Sequence, residues 1–137
     1  MSRLVRLLVL LVALTGGGAA FAADPPAAGT GAEKGKFVLP RMIVAAIQGD
    51  RVVRHYALLM RLELAKPADA KRIEENLVRL QNAFILDLND VASVGDSFDQ
   101  ERAKRRLMSS AARILGDAHV VEDVVFERVL ERRVQPN

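Results

Sequence analysis

Two histidines and a group of aspartates are the side chains of this 137-residue chain with the best potential for chemistry. His55 and His119 each lack a second histidine one helical turn away, which is the usual spacing of helical metal ligands. Cysteine is absent, which excludes disulfides, thiolate nucleophiles and zinc–thiolate sites. No glycine loop of phosphate-binding pattern and no G-x-S-x-G motif is present in the sequence. We therefore expect neither an enzyme nor a bound cofactor or metal ion.

The aspartates could supply the oxygen ligands that calcium prefers. Their spacing does not match the EF-hand loop, and aspartate is common in turns and at helix starts. We expect these residues to cap helices and form turns: Asp87, Asp90, Asp96 and Asp99.

Basic residues are densest between Arg102 and Arg106, where Glu101 and the earlier Asp99 dilute them. This run could meet anionic lipid head groups or an acidic partner, and a solvated helix face also explains it. Because no basic face with stacking aromatics is evident, nucleic acid is not an expected partner.

The first 22 residues have the order of parts found in an export signal. Two arginines precede an apolar run over residues 7–14, and glycines follow it. Ala20-Phe21-Ala22 then fits the A-x-A cleavage pattern, with Ala23 as the first mature residue. The alternative is retention as a short membrane anchor, at the lower limit of spanning length. Either way, the positive-inside bias predicts that the remaining chain lies outside the cytoplasm.

Residues 23–36 contain proline and glycine but no large apolar side chain, and this composition predicts a flexible linker. Residues 37–134 then hold the pattern of one folded domain. Two β-rich runs around Gly49-Asp50 predict a hairpin with a type II′ turn. The second run predicts a half-buried strand, with Arg54 interrupting the following inward positions: Val52, Tyr56, Leu58, Met60, Leu62 and Leu64. Pro40 should lie at a sheet edge or outside the sheet.

Apolar residues at steps of three and four predict a helix over residues 68–88. Ser97 and Gln100 form a capping-box pattern that predicts the start of a second helix, which Gly116 should end. Valine and phenylalanine predict a final strand over residues 120–132, although a helical period is also possible in its second half. The fold class is therefore α+β: an antiparallel hairpin and a C-terminal strand in one small sheet covered by two helices.

Residues 37–132 resemble the extracytoplasmic domain of the FliL family of flagellar basal body-associated proteins. The resemblance lies in the hairpin ending "LLMRLELA", the helices "RIEENLVRLQNAFILDL" and "ERAKRRLMSSAARIL", and the closing "VVEDVVFERVL". The resemblance rests on the order and spacing of these segments, including the spacing Val121-x-x-Val124-x-Phe126 in the last one.

This resemblance implies a stomatin-like (SPFH-like) domain that assembles into a homo-oligomeric ring and associates with flagellar stator and basal-body proteins. The expected function is that of an accessory protein that supports rotation and motility through protein contacts. The residues nominated for the partner interface are Arg61, Glu63, Arg102, Arg105 and Arg106. The alternative is a small periplasmic module that binds a lipid or peptide between the helices and the sheet.

Overall fold

A computed structural model describes residues 34–135 of the chain. The predictions of a signal or anchor over residues 1–22, including the cleavage site at Ala20, Ala22 and Ala23, lie outside this range, as does most of the predicted linker. The elements, in chain order, are β1 (Gly35–Val38), β2 (Met42–Gln48), β3 (Arg51–Leu64), α1 (Asp69–Glu75), α2 (Leu77–Ala92), α3 (Gln100–Leu115) and β4 (Val121–Arg133). The α+β class is confirmed: one antiparallel four-stranded sheet packs against helices.

The central strand β3 pairs with each of the other three strands. β1 pairs with its C-terminal end, from Leu64 to Arg61, and β2 pairs with its N-terminal part, from Arg51 to Leu58. Because β4 pairs along β3 from Arg54 to Leu64, β1 and β2 must share the opposite edge. They form one edge strand interrupted at residues 39–41, where Pro40 has no N–H to donate, as the sequence predicts.

Strand β1 begins two residues before the predicted end of the linker, so Gly35 and Lys36 belong to the sheet. At Gly35 a Cβ atom would lie 2.8 Å from the backbone oxygen of Lys66 and 2.8 Å from the Cα of Pro67. The backbones approach so closely that glycine is required here. The sequence shows the glycine but not the chain segment that packs against it.

The hairpin between β2 and β3 has the predicted two-residue turn. Gly49 has a φ of 65°, and no non-glycine residue within 34–135 has a positive φ, which is the pattern of a type II′ turn. A bulge follows, because Ala46 pairs with Arg54 whereas Ile47 pairs with Val52. The predicted inward position of Val52 is therefore wrong: the extra residue, Val53, places Val52 outward, at 38% exposed, whereas Arg54 keeps the inward alternation of Tyr56.

The core lies between the inward face of β3 and the helices. Tyr56 is buried on this face and its ring lies 5.2 Å from the ring of Phe98, which lies 5.7 Å from that of Phe126. The other large side chains are aliphatic or Phe84, and each is less than 2% exposed: Leu58, Met60, Leu62, Leu64, Ile73, Leu80, Leu88 and Leu107. The inward residues of the strand, which alternate, and those of the helices, which recur every three or four positions, therefore pack into one hydrophobic core.

The single helix predicted over residues 68–88 is two helices, α1 and α2. Asn76 separates them, with a φ of −109° and a ψ of 10°, and its side-chain amide donates to the carbonyl of Arg72 at 2.9 Å. Asparagine interrupts helices in this way because its side chain competes for backbone groups. Helix α2 also continues past Leu88 to Ala92, since Val91 and Ala92 are buried against the core.

The cap of α3 differs from the predicted capping box. The side chain of Asp99, not that of Ser97, accepts the N–H of Arg102 at 3.0 Å. Gly116 ends the helix in the left-handed region as predicted, with a φ of 69°. The last strand is also confirmed over Val121–Arg133, which excludes the helical alternative for its second half. None of the helices within residues 34–135 has the length and apolar character to cross a membrane.

Arg54 joins the central strand to the loop between α2 and α3. Its side chain is 7% exposed and donates to the carbonyl of Gly95 at 2.7 Å and to the carbonyl of Asp96. A buried guanidinium is tolerated because these carbonyls replace the hydrogen bonds it makes with water. The loop is thereby held to β3 at the hairpin end of the sheet.

Substitution of the cap should distinguish the two candidate residues. We expect Asp99→Ala to lower the free energy of unfolding by about 1 kcal/mol, because the first turn of α3 loses its acceptor. Ser97→Ala should change it by less than about 0.5 kcal/mol, since Ser97 is exposed. Urea unfolding of the two variants measures both values, and a larger loss from Ser97→Ala would contradict the observed cap.

Removal of the Arg54 guanidinium should be costly. We expect Arg54→Met to lower the free energy of unfolding by about 2 kcal/mol, because two loop carbonyls lose a charged donor. Arg51→Met is the matched control, since the Arg51 side chain is 82% exposed on the same strand. Urea unfolding provides the comparison, and equal losses in the two variants would show that the loop is not held by Arg54.

Candidate partner-binding face

The sheet has a second face, which no element within residues 34–135 covers. We call it the open face; it carries the β3 side chains that alternate with the buried ones, namely His55, Ala57, Leu59, Arg61 and Glu63, together with their neighbours on the other strands. Several of these neighbours are large, apolar and exposed: Val38 at 68%, Ile43 at 62% and Leu130 at 49%. Exposed aliphatic side chains grouped on one face are typical of contact surfaces.

Three rows of side chains cross the open face at the hairpin end. Two rows follow from the strand pairs of β2, β3 and β4. Arg41 precedes β2, and continuing the register from Met42, which pairs with Leu58, places it opposite Leu59. The rows, in order along the strands, are Arg41–Leu59–Arg128, Ile43–Ala57–Leu130 and Ala45–His55–Arg132. We call the middle one the apolar row. Arginines therefore lie on both sides of it.

A shallow depression of about 340 Å³ lies over the apolar row. Ala57 forms its floor because its side chain is much smaller than those of Ile43 and Leu130 on the two flanking strands. The remaining lining residues are Arg41, His55, Glu131 and Arg132. The depression has the size and lining to receive one aliphatic side chain.

The arginines beside the apolar row have no acidic partner within the described range: Arg41, Arg128 and Arg132 take part in none of the ion pairs found there. The one acid that lines the depression, Glu131, pairs with the inward-facing Tyr56, and its Oε1 lies 3.3 Å from the Nε of Arg133. This part of the open face is therefore positively charged.

At the opposite end of the open face, Arg61 lies between two carboxylates. Its Nη1 donates to Glu127 at 2.6 Å and its Nη2 to Glu63 at 3.4 Å. These hydrogen bonds, that of Glu127 first, raise the pKa of Arg61. Arg61 and Glu63, nominated from the sequence, thus neutralise each other and give this end no net basic character.

The other nominated residues lie on α3, in the helix layer, and not on the open face. Arg106 pairs with Asp90 of α2, Arg102 is half-buried, and Arg105 is exposed. Helix α3 buries the side of its surface that carries Ala103, Leu107 and Ala111 against the inward face of the sheet. The two nominated groups therefore belong to two different surfaces of the domain.

The aspartates that suggested calcium have separate roles. Asp87 accepts the hydroxyl of Ser110, Asp90 pairs with Arg106, and Asp99 caps α3. Asp96 contributes its backbone carbonyl to Arg54. Among residues 34–135, no three histidine or acidic side chains gather as a metal site would require.

Helix α2 protects the outer edge of β2. The N–H of Ala45 donates to the side-chain oxygen of Asn89 at 2.9 Å, and that of Ile47 donates to the hydroxyl of Ser93 at 3.0 Å. These bonds satisfy backbone donors that would otherwise remain unpaired at a sheet edge. They also fix α2 across the inward face, so that β2 presents Ile43 on the other side.

Sequence reasoning missed the apolar row and found only charged candidates. A signal was present, because the run "FVLPRMIVAAIQ" is apolar at both parities, whereas a strand with one solvated face alternates with polar residues. The partners of Ile43 in the row depend on strand register, which the sequence does not show.

No protein-family model matches the chain, and no curated protein matches it. The features that bear on function are therefore the residues of the open face and the resemblance of the sequence segments.

Exposure of the apolar row can be tested through stability. We expect Leu130→Gln to change the free energy of unfolding by less than about 0.5 kcal/mol, because the side chain already contacts solvent. Leu58→Ala, on the neighbouring strand but 0% exposed, should cost about 2 to 5 kcal/mol. Urea unfolding measures both, and a similar loss from Leu130→Gln would mean that another part of the protein covers the row.

Proposed function

We propose that this chain is a flagellar basal body-associated accessory protein that supports rotation and motility through contacts with the motor and its stator units. The proposal rests on the resemblance of residues 37–132 to the FliL family. The single structural observation that carries it is the open face, where an exposed apolar row lies between arginines without acidic partners.

The side chains of this face are suited to binding another protein. Aliphatic side chains gain free energy when a partner removes them from water, and guanidinium groups bind carboxylates with defined geometry. The open face offers both in adjacent rows of the same sheet. Such a surface supports an accessory role in which the domain binds a neighbour and holds it in place.

The proposed location is the periplasm beside the inner membrane, reached through the N-terminal signal or retained there by a short anchor. The proposed assembly is a homo-oligomeric ring near the stator. This arrangement needs contacts on separate sides of the domain. The candidates on the helix layer are Arg102, Arg105 and Arg106. The candidates on the sheet are Arg61 and Glu63.

The alternative, a small periplasmic lipid- or peptide-binding module, was expected to hold its ligand between the helices and the sheet. The side chains at that position fill the space: Leu62, Leu80, Phe84 and Leu107 are each 0% exposed and belong to one core. The geometry favours contacts on the open face over a ligand in the interior.

Motility tests the proposal directly. A strain deleted for the gene should form smaller swimming rings, with a loss that increases in stiffened agar while filaments remain visible. Re-expression of the chain should restore ring diameter, and re-expression of the double variant Ile43→Gln and Leu130→Gln should not. Leu86→Gln is the matched control, because Leu86 is 72% exposed on α2, away from the open face. Ring diameters measured in both media decide the outcome.

Unchanged swimming of the deletion strain in both media would contradict a required flagellar role. Full restoration by the double variant, at equal protein level, would instead contradict the assignment of that role to the open face.

A further inference from the structure

We infer that the open face binds an extended protein segment in which an aliphatic residue is flanked, two positions away on each side, by acidic residues. The inference deepens the proposed function and rests on its claim that the domain works through protein contacts. The partner segment is thus defined by its side-chain pattern and lies along the strands.

The spacing of the three rows carries the inference. Adjacent rows on one face of a sheet are two residues apart along the strand, or about 6.8 Å. An extended segment lying along the strands has the same repeat, so its alternate side chains meet successive rows. One aliphatic side chain would then occupy the depression over Ala57 while its two neighbours reach the flanking rows.

Charge determines what those neighbours must be. Arg41 and Arg128 occupy the row on one side of the apolar row, and Arg132 occupies the row on the other side. None of the three has an acidic partner in the described part of the chain. Carboxylates at both neighbouring positions would each meet an arginine, whereas basic residues there would be repelled.

A membrane surface is the other class of partner that basic and apolar side chains could fit. The rows favour a protein segment, because an extended chain repeats its side chains at the spacing of the rows, whereas lipid head groups have no such repeat. The occupant we infer is therefore a protein.

The test is a titration of the ¹⁵N-labelled full chain with four synthetic peptides, followed through backbone amide shifts. The first is Ser-Glu-Ser-Leu-Ser-Glu-Ser. The second carries lysine in place of glutamate, the third carries serine in place of leucine, and the fourth has the first peptide's composition with both glutamates adjacent to leucine. We expect saturable shifts at Ile43, Ala57 and Leu130 with the first peptide and weaker binding by each of the others.

Charge reversal provides the matched variants. Arg128→Glu with Arg132→Glu should weaken binding of the first peptide by about tenfold and improve binding of the lysine peptide, since both side chains are exposed at the rows. Arg79→Glu, at an exposed arginine on α2 that is not among the nominated contact residues, should leave binding unchanged. Amide spectra of the free variants show whether each retains the fold.

Several outcomes would overturn the inference. They are no shift with the first peptide, equal affinity for all four peptides, or the same loss from Arg79→Glu. Phosphatidylglycerol vesicles that shift these amides when the first peptide does not would assign the face to a membrane. Because binding is measured on the purified chain, peptide binding together with normal swimming of the deletion strain would remove the flagellar role and retain the binding site.

Discussion

The structure depends on one constraint, which is that a single strand, β3, pairs with every other strand of the sheet. Its alternation of side chains assigns the two faces for the whole domain. Tyr56, Leu58 and Leu62 point to the helices, so the residues between them must point away. A slip of one residue would exchange the two sets and place charged side chains in the core. The core and the open face are therefore two consequences of the same register.

The same register places one charge on the inward face. Arg54 follows the alternation of Tyr56, and the loop between α2 and α3 provides two carbonyls to its guanidinium, whereas the bulge beyond it turns Val52 outward beside Ile47. A guanidinium in this position would destabilise the core if the loop were elsewhere. Since Asn89 and Ser93 at the end of α2 also bind the edge of β2, the loop and the helix before it are held to the same part of the sheet.

The sequence was sufficient wherever a period or a turn residue determines local structure. It predicted the hairpin at Gly49, the inward side of β3, the Gly116 helix end and the last strand, because these follow from alternation or from glycine. It was insufficient where competing local signals are decided by packing, as at Asn76, and at the cap of α3, where Ser97 and Asp99 were both available. The functional face was the least predictable part, because Ile43, Ala57 and Leu130 are brought together only by pairing between distant strands.

The charge of the open face is set by one further irregularity, in β4. Val125 pairs with Arg61 and points to the open face, but Leu59 pairs with Arg128, so Glu127 is an extra residue between them. Regular alternation from Val125 would have placed Glu127, Val129 and Glu131 on this face. Glu127 still accepts from Arg61 on this face, but the extra residue places Arg128, Leu130 and Arg132 there after it, so that arginines and not glutamates flank the apolar row on β4. Because bulges re-aim side chains in this way, the partner that the face can bind is decided by a single inserted position in an otherwise regular strand.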